Sequence, residues 1–420
     1  MTAKSKEPFR AIFVNRFYFP DHSATAQMLT DVAAGLAAKG WEVTVITSRL
    51  SYDDPALTYP PRSEEAGVRI IRVATTRFGR AGLMGRAADY ASFYVASFFS
   101  LLRHARKGSV VVMKTDPPLL SVPLGFAARL KGARRVNWLQ DIFPEAAAEL
   151  GLGLARGPVG AFVKVLRNLS LRRADRTVVI GPRMEKRVTG MGVSRAKITE
   201  IQNFCDEEAI VPVEPSENPL RAAWGFGPDD FVVGYSGNLG RAHDLGTLLG
   251  AAERLRGESG IRFLFIGGGH LRRQLEDEAN ARGLTSIITK PYQPREQLAF
   301  SLSAPDVHWL SLRPELEGLI LPSKFYGIAA AGRPMIMVGD TEGDISLWAT
   351  THQFGYAVPI DAPDAFAKAV LQLRLDKVRT QNMGRNARTF LENRARRADI
   401  IERWSETLHR VRRGKRTGPL

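Results

Sequence analysis

The 420-residue chain has a single cysteine, Cys205. No intrachain disulfide can form, no Cys/His cluster can hold zinc, and the usage fits a reducing compartment. No apolar run reaches 18 residues. The nearest, Tyr90–Leu102, is 13 residues long and carries serines, too short and too polar to cross a bilayer as a helix. Met1–Pro8 is polar and has no apolar centre, so a leader peptide is not expected. There is no G-x-S-x-G nucleophile turn and no P-loop. No D-x-D triplet occurs, which argues against a metal-held diphosphate of that style. Hydrophobic residues make up 44%, charged 24% and aromatic 9%, which excludes disorder, collagen and a small stapled scaffold.

Acidic residues are scarce in one half only. The net charge is +16, and residues 1–200 hold 31 Lys and Arg against 16 Asp and Glu. Nearly the whole excess therefore lies in the first half. A basic half beside a neutral one suggests that one domain faces something anionic: nucleic acid, a membrane leaflet or a phosphorylated substrate.

Apolar strand-like runs alternate with helical spacing throughout. In the first half the strands are Arg10–Asn15, Trp41–Thr47, Gly67–Val73, Ser109–Lys114, Arg134–Leu139 and Arg176–Ile180, with helices near 24–39, 83–106, 120–131 and 158–173. In the second they are Phe231–Tyr235, Ile261–Ile266, Ser286–Thr289, Val307–Leu310 and Pro334–Val338, with helices near 244–256, 270–281, 295–303 and 321–331. The pattern predicts two doubly wound α/β domains with parallel sheets. We place them at 1–205 and 206–387, followed by a C-terminal segment, 388–420. Ligands in such sheets bind beyond the carboxyl ends of the strands, so the cleft between two such domains is the expected site.

Four segments after strands stand out. Tyr235-Ser-Gly-Asn-Leu-Gly-Arg-Ala242 leads into a helix; Ser236, Gly237 and Asn238 would let backbone approach a phosphate, and Arg241 would add charge. An ordinary βα turn reads the same way. Ile266-Gly-Gly-Gly-His-Leu271 is not G-x-G-x-x-G, but Gly268 and Gly269 leave room for a nucleotide or sugar. In Glu315-Leu-Glu-Gly-Leu-Ile-Leu-Pro-Ser-Lys324, Glu317 is placed to bind sugar hydroxyls. The amides of Gly318 to Leu321, with Ser323 and Lys324, are placed for a diphosphate. In Asn137-Trp-Leu-Gln-Asp-Ile-Phe-Pro-Glu145, Asp141 and Glu145 suit an acceptor hydroxyl, with helix capping by Asp141 as the alternative. The polar loop Phe19–Thr25 adds His22, Ser23 and Thr25. Finally, Arg77, Arg80 and Arg86 precede the aromatic-rich stretch Tyr90–Leu102, and Arg103, Arg106 and Lys107 follow it. Lys164, Arg167, Arg172, Arg173 and Arg176 and the tail Arg410–Arg416 add basic charge. A membrane surface suits this arrangement; a packed helix with solvated ends is the plainer reading.

Together, Phe19-Pro-Asp…Ala24-Thr-Ala-Gln27, Gln140–Glu145, Tyr235–Arg241 and Glu317-Gly…Pro322-Ser-Lys324 with Ala331-Gly-Arg-Pro334 resemble glycosyltransferase family 4. Within it the chain is most similar to enzymes that build bacterial surface polysaccharides such as colanic acid and O-antigen. The resemblance runs from about Arg10 to Glu406. It implies the GT-B fold, two Rossmann-like domains facing a central cleft. It implies a nucleotide-diphosphate-sugar donor, UDP first, on the C-terminal domain. The acceptor, an undecaprenyl-diphosphate-linked sugar, would meet the N-terminal domain. Transfer would retain configuration and need neither metal nor cofactor, on the inner face of the cell membrane and without nucleic acid. Carried over, Glu317 would contact the donor sugar, Gly318 and Leu319 would offer amides, and Lys324 with Asn238 and Arg241 would neutralise the leaving diphosphate. Asp141 would lie near the acceptor or the reacting sugar. The C-terminal helix would cross back to the first domain. Two positions depart. The second Glu of the family motif, which holds ribose, falls on Phe325, or on Gly327 in the related Pro-Ser-Lys-x-x pattern. The usual Arg and Lys after the first C-domain strand are Asn238 and His243. A nucleotide-sugar epimerase on the same fold, and a non-catalytic basic binding protein, remain alternatives at this point.

Overall fold

The computed structural model describes residues 9–21, 23–52, 54, 56–79, 82–151, 155 and 157–414. His22, Arg80, Lys415 and Arg416 fall outside them. The chain forms two compact units, Met1–Gln202 with Ala398–Leu420, and Asn203–Arg397.

The first unit is built on eight strands: β1 (Arg10–Val14), β2 (Glu42–Ser48), β3 (Arg62–Glu65), β4 (Val68–Val73), β5 (Val110–Lys114), β6 (Arg134–Trp138), β7 (Arg176–Val179) and β8 (Ile198–Glu200). Their order is β3-β4-β2-β1-β5-β6-β7-β8, parallel throughout except for the antiparallel β3–β4 pair. The apolar run Val110–Met113 is buried because helices cover both faces of a parallel sheet. β3 reads Arg-Ser-Glu-Glu and sits at the edge, where its polar side chains meet solvent. It gives no apolar signal, and neither it nor the three-residue β8 was expected.

The second unit has six parallel strands: β9 (Phe231–Ser236), β10 (Ile261–Ile266), β11 (Ile287–Lys290), β12 (Val307–Ser311), β13 (Met335–Val338) and β14 (Gly355–Val358). The order is β11-β10-β9-β12-β13-β14. One large core, from Phe231 on β9 through Leu248 and Trp309 to Phe366 and Leu373, lies between the sheet and its helices.

Within 388–420, Arg388–Arg397 belongs to the second unit and Ala398 onward to the first. The Arg388 guanidinium donates to the carbonyls of Glu207, Ile210 and Ala330. Helix Arg397–Arg413 then packs into the first unit through Trp404, whose ring lies 4.4 Å from Trp138 and 6.3 Å from Phe13. Trp41 Nε1 donates to Ser405 Oγ at 3.3 Å.

Candidate active site

In the second unit β9 and β12 are neighbours, with β10 and β13 on opposite sides. That is the switch point of the sheet, where the loops beyond the carboxyl ends part and leave a crevice. The loops after these two strands are tied together. Arg313 N–H donates to Ala242 O at 2.9 Å and Asp244 N–H to Ser311 Oγ at 3.0 Å. The His243 Nδ1 lies 2.7 Å from Ser311 O, so Nδ1 carries the proton. Burial, then the charge of Lys324, pushes the imidazole down to about 4, so His243 is neutral at pH 7.

Lys324 opens the short helix Lys324–Ala330. Its stem lies over Gly237, where φ is 121° and a side chain would come within 2.7 Å of Lys324 Cε. Only glycine serves there. The ammonium sits 5.4 Å from the Tyr235 ring centre, and among the described residues it has no hydrogen-bond or ion-pair partner. Burial alone lowers it to about 8. Lys324 is half-buried, and a partly desolvated cation with no carboxylate beside it gains when an anion joins it.

The other residues named from the sequence divide into two groups. Ser236 and Gly237 are half-buried at the end of β9 beside Lys324, and Asn238 is exposed. Arg241 and His270 are exposed, with no partner among the described residues for Arg241. The glycines after β10 serve a close approach of two loops: a side chain at Gly267 would strike the Gly237 carbonyl, and one at Gly269 would meet Leu239. Leu239 N–H donates to Gly268 O at 2.7 Å, and Leu271 N–H back to Leu239 O at 3.0 Å. Tyr292, 60% exposed, lies against Gly267 and Gly268.

The loop after β12 is folded on itself. Glu317 is buried, and its Oε1 accepts from Asp344 N–H at 2.8 Å, at the start of helix Asp344–Thr351. The Leu319 and Ile320 amides, read from sequence as anion donors, close a turn onto Leu316 O at 2.9 and 3.2 Å. Gly318 provides the positive φ of 73° for that turn. Ser323 is half-buried and precedes the helix without a side-chain cap bond. Phe325 is fully buried among Trp348, Phe354 and Phe390. A carboxylate at 325 would enter that core. The position on the Lys324 side of the helix, one turn on, is Gly327, so the ribose acid of the Pro-Ser-Lys-x-x pattern is glycine here.

In the first unit the switch point lies between β1 and β5. Lys114 ends β5, 2% exposed, with Nζ donating to Thr25 O at 2.8 Å and lying 3.8 Å from the Trp138 ring centre. Burial brings its ammonium down to about 7. Lys114, Asn137 and Asp141 line one small cavity of about 30 Å³, room for a water or two. Asn137 is 1% exposed, and neither its amide nitrogen nor its oxygen has a partner. Burial pushes the Asp141 carboxyl up to about 6, against a Thr115 hydroxyl bond and with added repulsion from Asp116. Asp141 caps no helix, since the next begins at Glu145 behind Pro144. Glu145 is held by buried Arg167 at 2.7 Å, and Ser23 caps helix Ala24–Ala38. Thr25 is tied to this site by its carbonyl. Lys114 and Asn137 were not among the site residues picked from sequence, and Arg167 was named there only as part of the basic charge. A lysine closing a wholly apolar strand was the one visible signal.

Two doubly wound domains in one chain, with an ammonium at the switch point of the second, match the outline of the GT-B fold. Residues 23–203 match the glycosyl transferase 4-like domain family, and 216–390 match glycosyl transferases group 1. The chain belongs to the family 4 glycosyltransferases of GT-B fold. It is 26% identical over 368 residues to WcaI of Escherichia coli K12, named as a colanic acid biosynthesis glycosyl transferase, covering 85% of this chain and 89% of that protein. Among solved structures it resembles sucrose-phosphate synthase from Thermosynechococcus elongatus, with a TM-score of 0.78, 17% identity, and coverage of 97% and 100%. It also resembles Anabaena HepE in complex with UDP and glucose, with a TM-score of 0.72, 15% identity, and coverage of 96% and 99%.

Proposed function

We propose that this glycosyltransferase moves a sugar from a nucleotide-diphosphate donor, UDP first, to a lipid-diphosphate-linked sugar in bacterial surface-polysaccharide synthesis. Transfer proceeds with retention of configuration and without metal, at the inner face of the cell membrane. The bond between the anomeric carbon and the diphosphate oxygen breaks, the bond to the acceptor oxygen forms on the same face, and the acceptor's proton passes to the departing diphosphate oxygen. Negative charge grows on the diphosphate as it leaves. The observation that carries the reading is Lys324, a half-buried ammonium over Gly237 and Tyr235 with no protein anion beside it among the described residues. Held there before the reaction, it stabilises the leaving group without reorganising. Arg241 and Asn238 stand at the same loop as weaker contributors. Glu317, fixed by the Asp344 amide, is the carboxylate we assign to the donor sugar. Asp141 and the Lys114 site face the acceptor step. HepE was solved with UDP and WcaI is named for colanic acid, both in keeping with this reading.

The test is a thermal-shift screen against UDP, GDP, CDP, ADP and their sugar conjugates in the presence of a chelator. One nucleotide class at 100 times its Kd stabilises the fold by about 2.7 kcal/mol, and Lys324→Ala abolishes the shift. If no nucleotide shifts the native protein, the reading fails. The anomeric configuration of the product, read by NMR, decides retention.

A further inference from the structure

Three helices of the first unit pack in series: Leu83–His104, Ser121–Leu130 and Gly157–Arg173. Phe98 stacks on Phe126 at 6.4 Å and 15°, and Ser170 Oγ donates to Ser121 O at 3.1 Å. Each helix exposes a row of large apolar residues at helical spacing. The rows are Val95 and Phe99; Phe126 and Leu130; and Val159, Phe162, Val165 and Leu169. Phe99, Phe126 and Phe162 are 65%, 58% and 63% exposed. One such residue on a surface needs no explanation, but rows on three adjoining helices do.

The charge on these helices is one-sided. They carry seven Lys and Arg and one acid, Asp89, which is buried against Arg16. Exposed Arg103, Arg129, Lys164 and Arg173 have no carboxylate partner among the described residues. Surfaces that face only water mix both signs. Between the second and third helices runs a groove of about 150 Å³, with Phe126 and Leu169 on its walls and Arg129 and Arg173 beside them. Apolar wall and unpaired cation together suit a lipid's acyl chain and phosphate. Among the described residues no helix is long and apolar enough to cross a membrane, so contact is with its surface.

We propose that this three-helix face lies on an anionic lipid bilayer, with Phe99, Phe126 and Phe162 entering the interface and Arg129 and Arg173 taking lipid phosphates. The partner follows from apolar rows joined to unopposed positive charge. The proposal deepens the lipid-acceptor reading, but it stands on residues remote in sequence from Lys324.

The test is co-sedimentation of the full chain with phosphatidylcholine vesicles, with and without 30% phosphatidylglycerol. Native protein should bind the anionic vesicles at least about tenfold more tightly, and lose most of that advantage in 0.5 M salt. Phe99→Glu/Phe126→Glu/Phe162→Glu and Arg129→Ala/Arg173→Ala should each lower partitioning about tenfold or more. An unchanged melting temperature and nucleotide shift show that each variant is folded. A second pair, Phe126→Ser/Phe162→Ser, covers failure of the triple variant to fold. Equal binding to both vesicle types, or unaltered binding by the variants, overturns the proposal. So does a concentration-dependent dimer that the triple variant abolishes, since the face would then be an interface between copies. Vesicle binding without any nucleotide shift would sink the transferase reading alone.

Discussion

Each half of the chain holds a lysine at the switch point of its sheet, Lys114 buried and Lys324 half-buried, and the two are used differently. Lys114 sits on Trp138 and donates a hydrogen bond to the Thr25 carbonyl. Lys324 sits near Tyr235 and has no acceptor for its N–H groups among the described residues. Burial lowers both, to about 7 and about 8. Lys114 is partly satisfied by the protein, joining the first turn of helix Ala24–Ala38 to β5 and standing at the cavity of Asn137 and Asp141. Lys324 is left for an anion. A perturbed pKa therefore marks both positions without telling their roles apart; the hydrogen-bond account does.

Replacing the unsatisfied lysine should break function most. Lys324→Ala is expected to lower turnover about 10²–10³-fold, the scale for losing one preorganised charge on a leaving group. Its melting temperature should stay level, because Lys324 makes no hydrogen bond or ion pair among the described residues that the substitution would break. A fall in stability with activity kept would reverse the assignment.

Replacing the satisfied lysine should change stability instead. The folded pKa of Lys114 lies below the value of 10.5 it has when unfolded. The unfolded chain thus binds more protons between about pH 7 and 10.5, and this residue's penalty fades as pH rises through that window. Lys114→Met should therefore be stabilised over native at pH 6, by roughly 2–4 kcal/mol once the lost bond to Thr25 is set against the gain. The difference should shrink by pH 9, while the nucleotide shift stays as in the native protein. Melting curves at pH 6 and 9 check the sign.

Donor affinity sharpens the contrast by smaller steps. Lys324 must be protonated to meet a diphosphate, and in the free protein it loses its proton near pH 8. The Kd for the nucleotide should rise above pH 8, by up to about tenfold per pH unit, until the pKa of the bound state is reached. Lys324→Ala should show a flat profile and Lys114→Met the native one.

What the sequence reveals follows the same division between local and distant causes. The central strands are apolar runs and were legible; β3, with Arg-Ser-Glu-Glu, and β14, with one glycine and three buried or half-buried neighbours, are held by pairing and were not. Lys324 was legible because Pro-Ser-Lys opens a helix after a strand. The partner of Glu317 was not, since Asp344 lies 27 positions on. Glycines after β10 were visible, but the loop pressing on Gly267 comes from β9, so sequence alone could not separate ligand approach from loop packing. Phe325 and Gly327 were both legible as places where the family's second acid is missing; the aromatic cluster around Phe325 leaves Gly327 as the one on the Lys324 side of the helix.

Arg241 offers the finest test, because it has the same charge as Lys324 on a neighbouring loop with the opposite exposure. Its guanidinium is in water, so the diphosphate it meets is screened, and side-chain order must be lost to meet it. A surface contact of that kind is worth about 0.2–1 kcal/mol. Arg241→Ala should therefore weaken nucleotide binding by about two- to fivefold at low salt and by almost nothing at 0.5 M. The Lys324→Ala deficit should fall less with the same salt, since Lys324 is half-buried where Arg241 is exposed. If the two deficits fall together with salt, then Lys324 is solvated when the donor is bound, and burial no longer explains its strength.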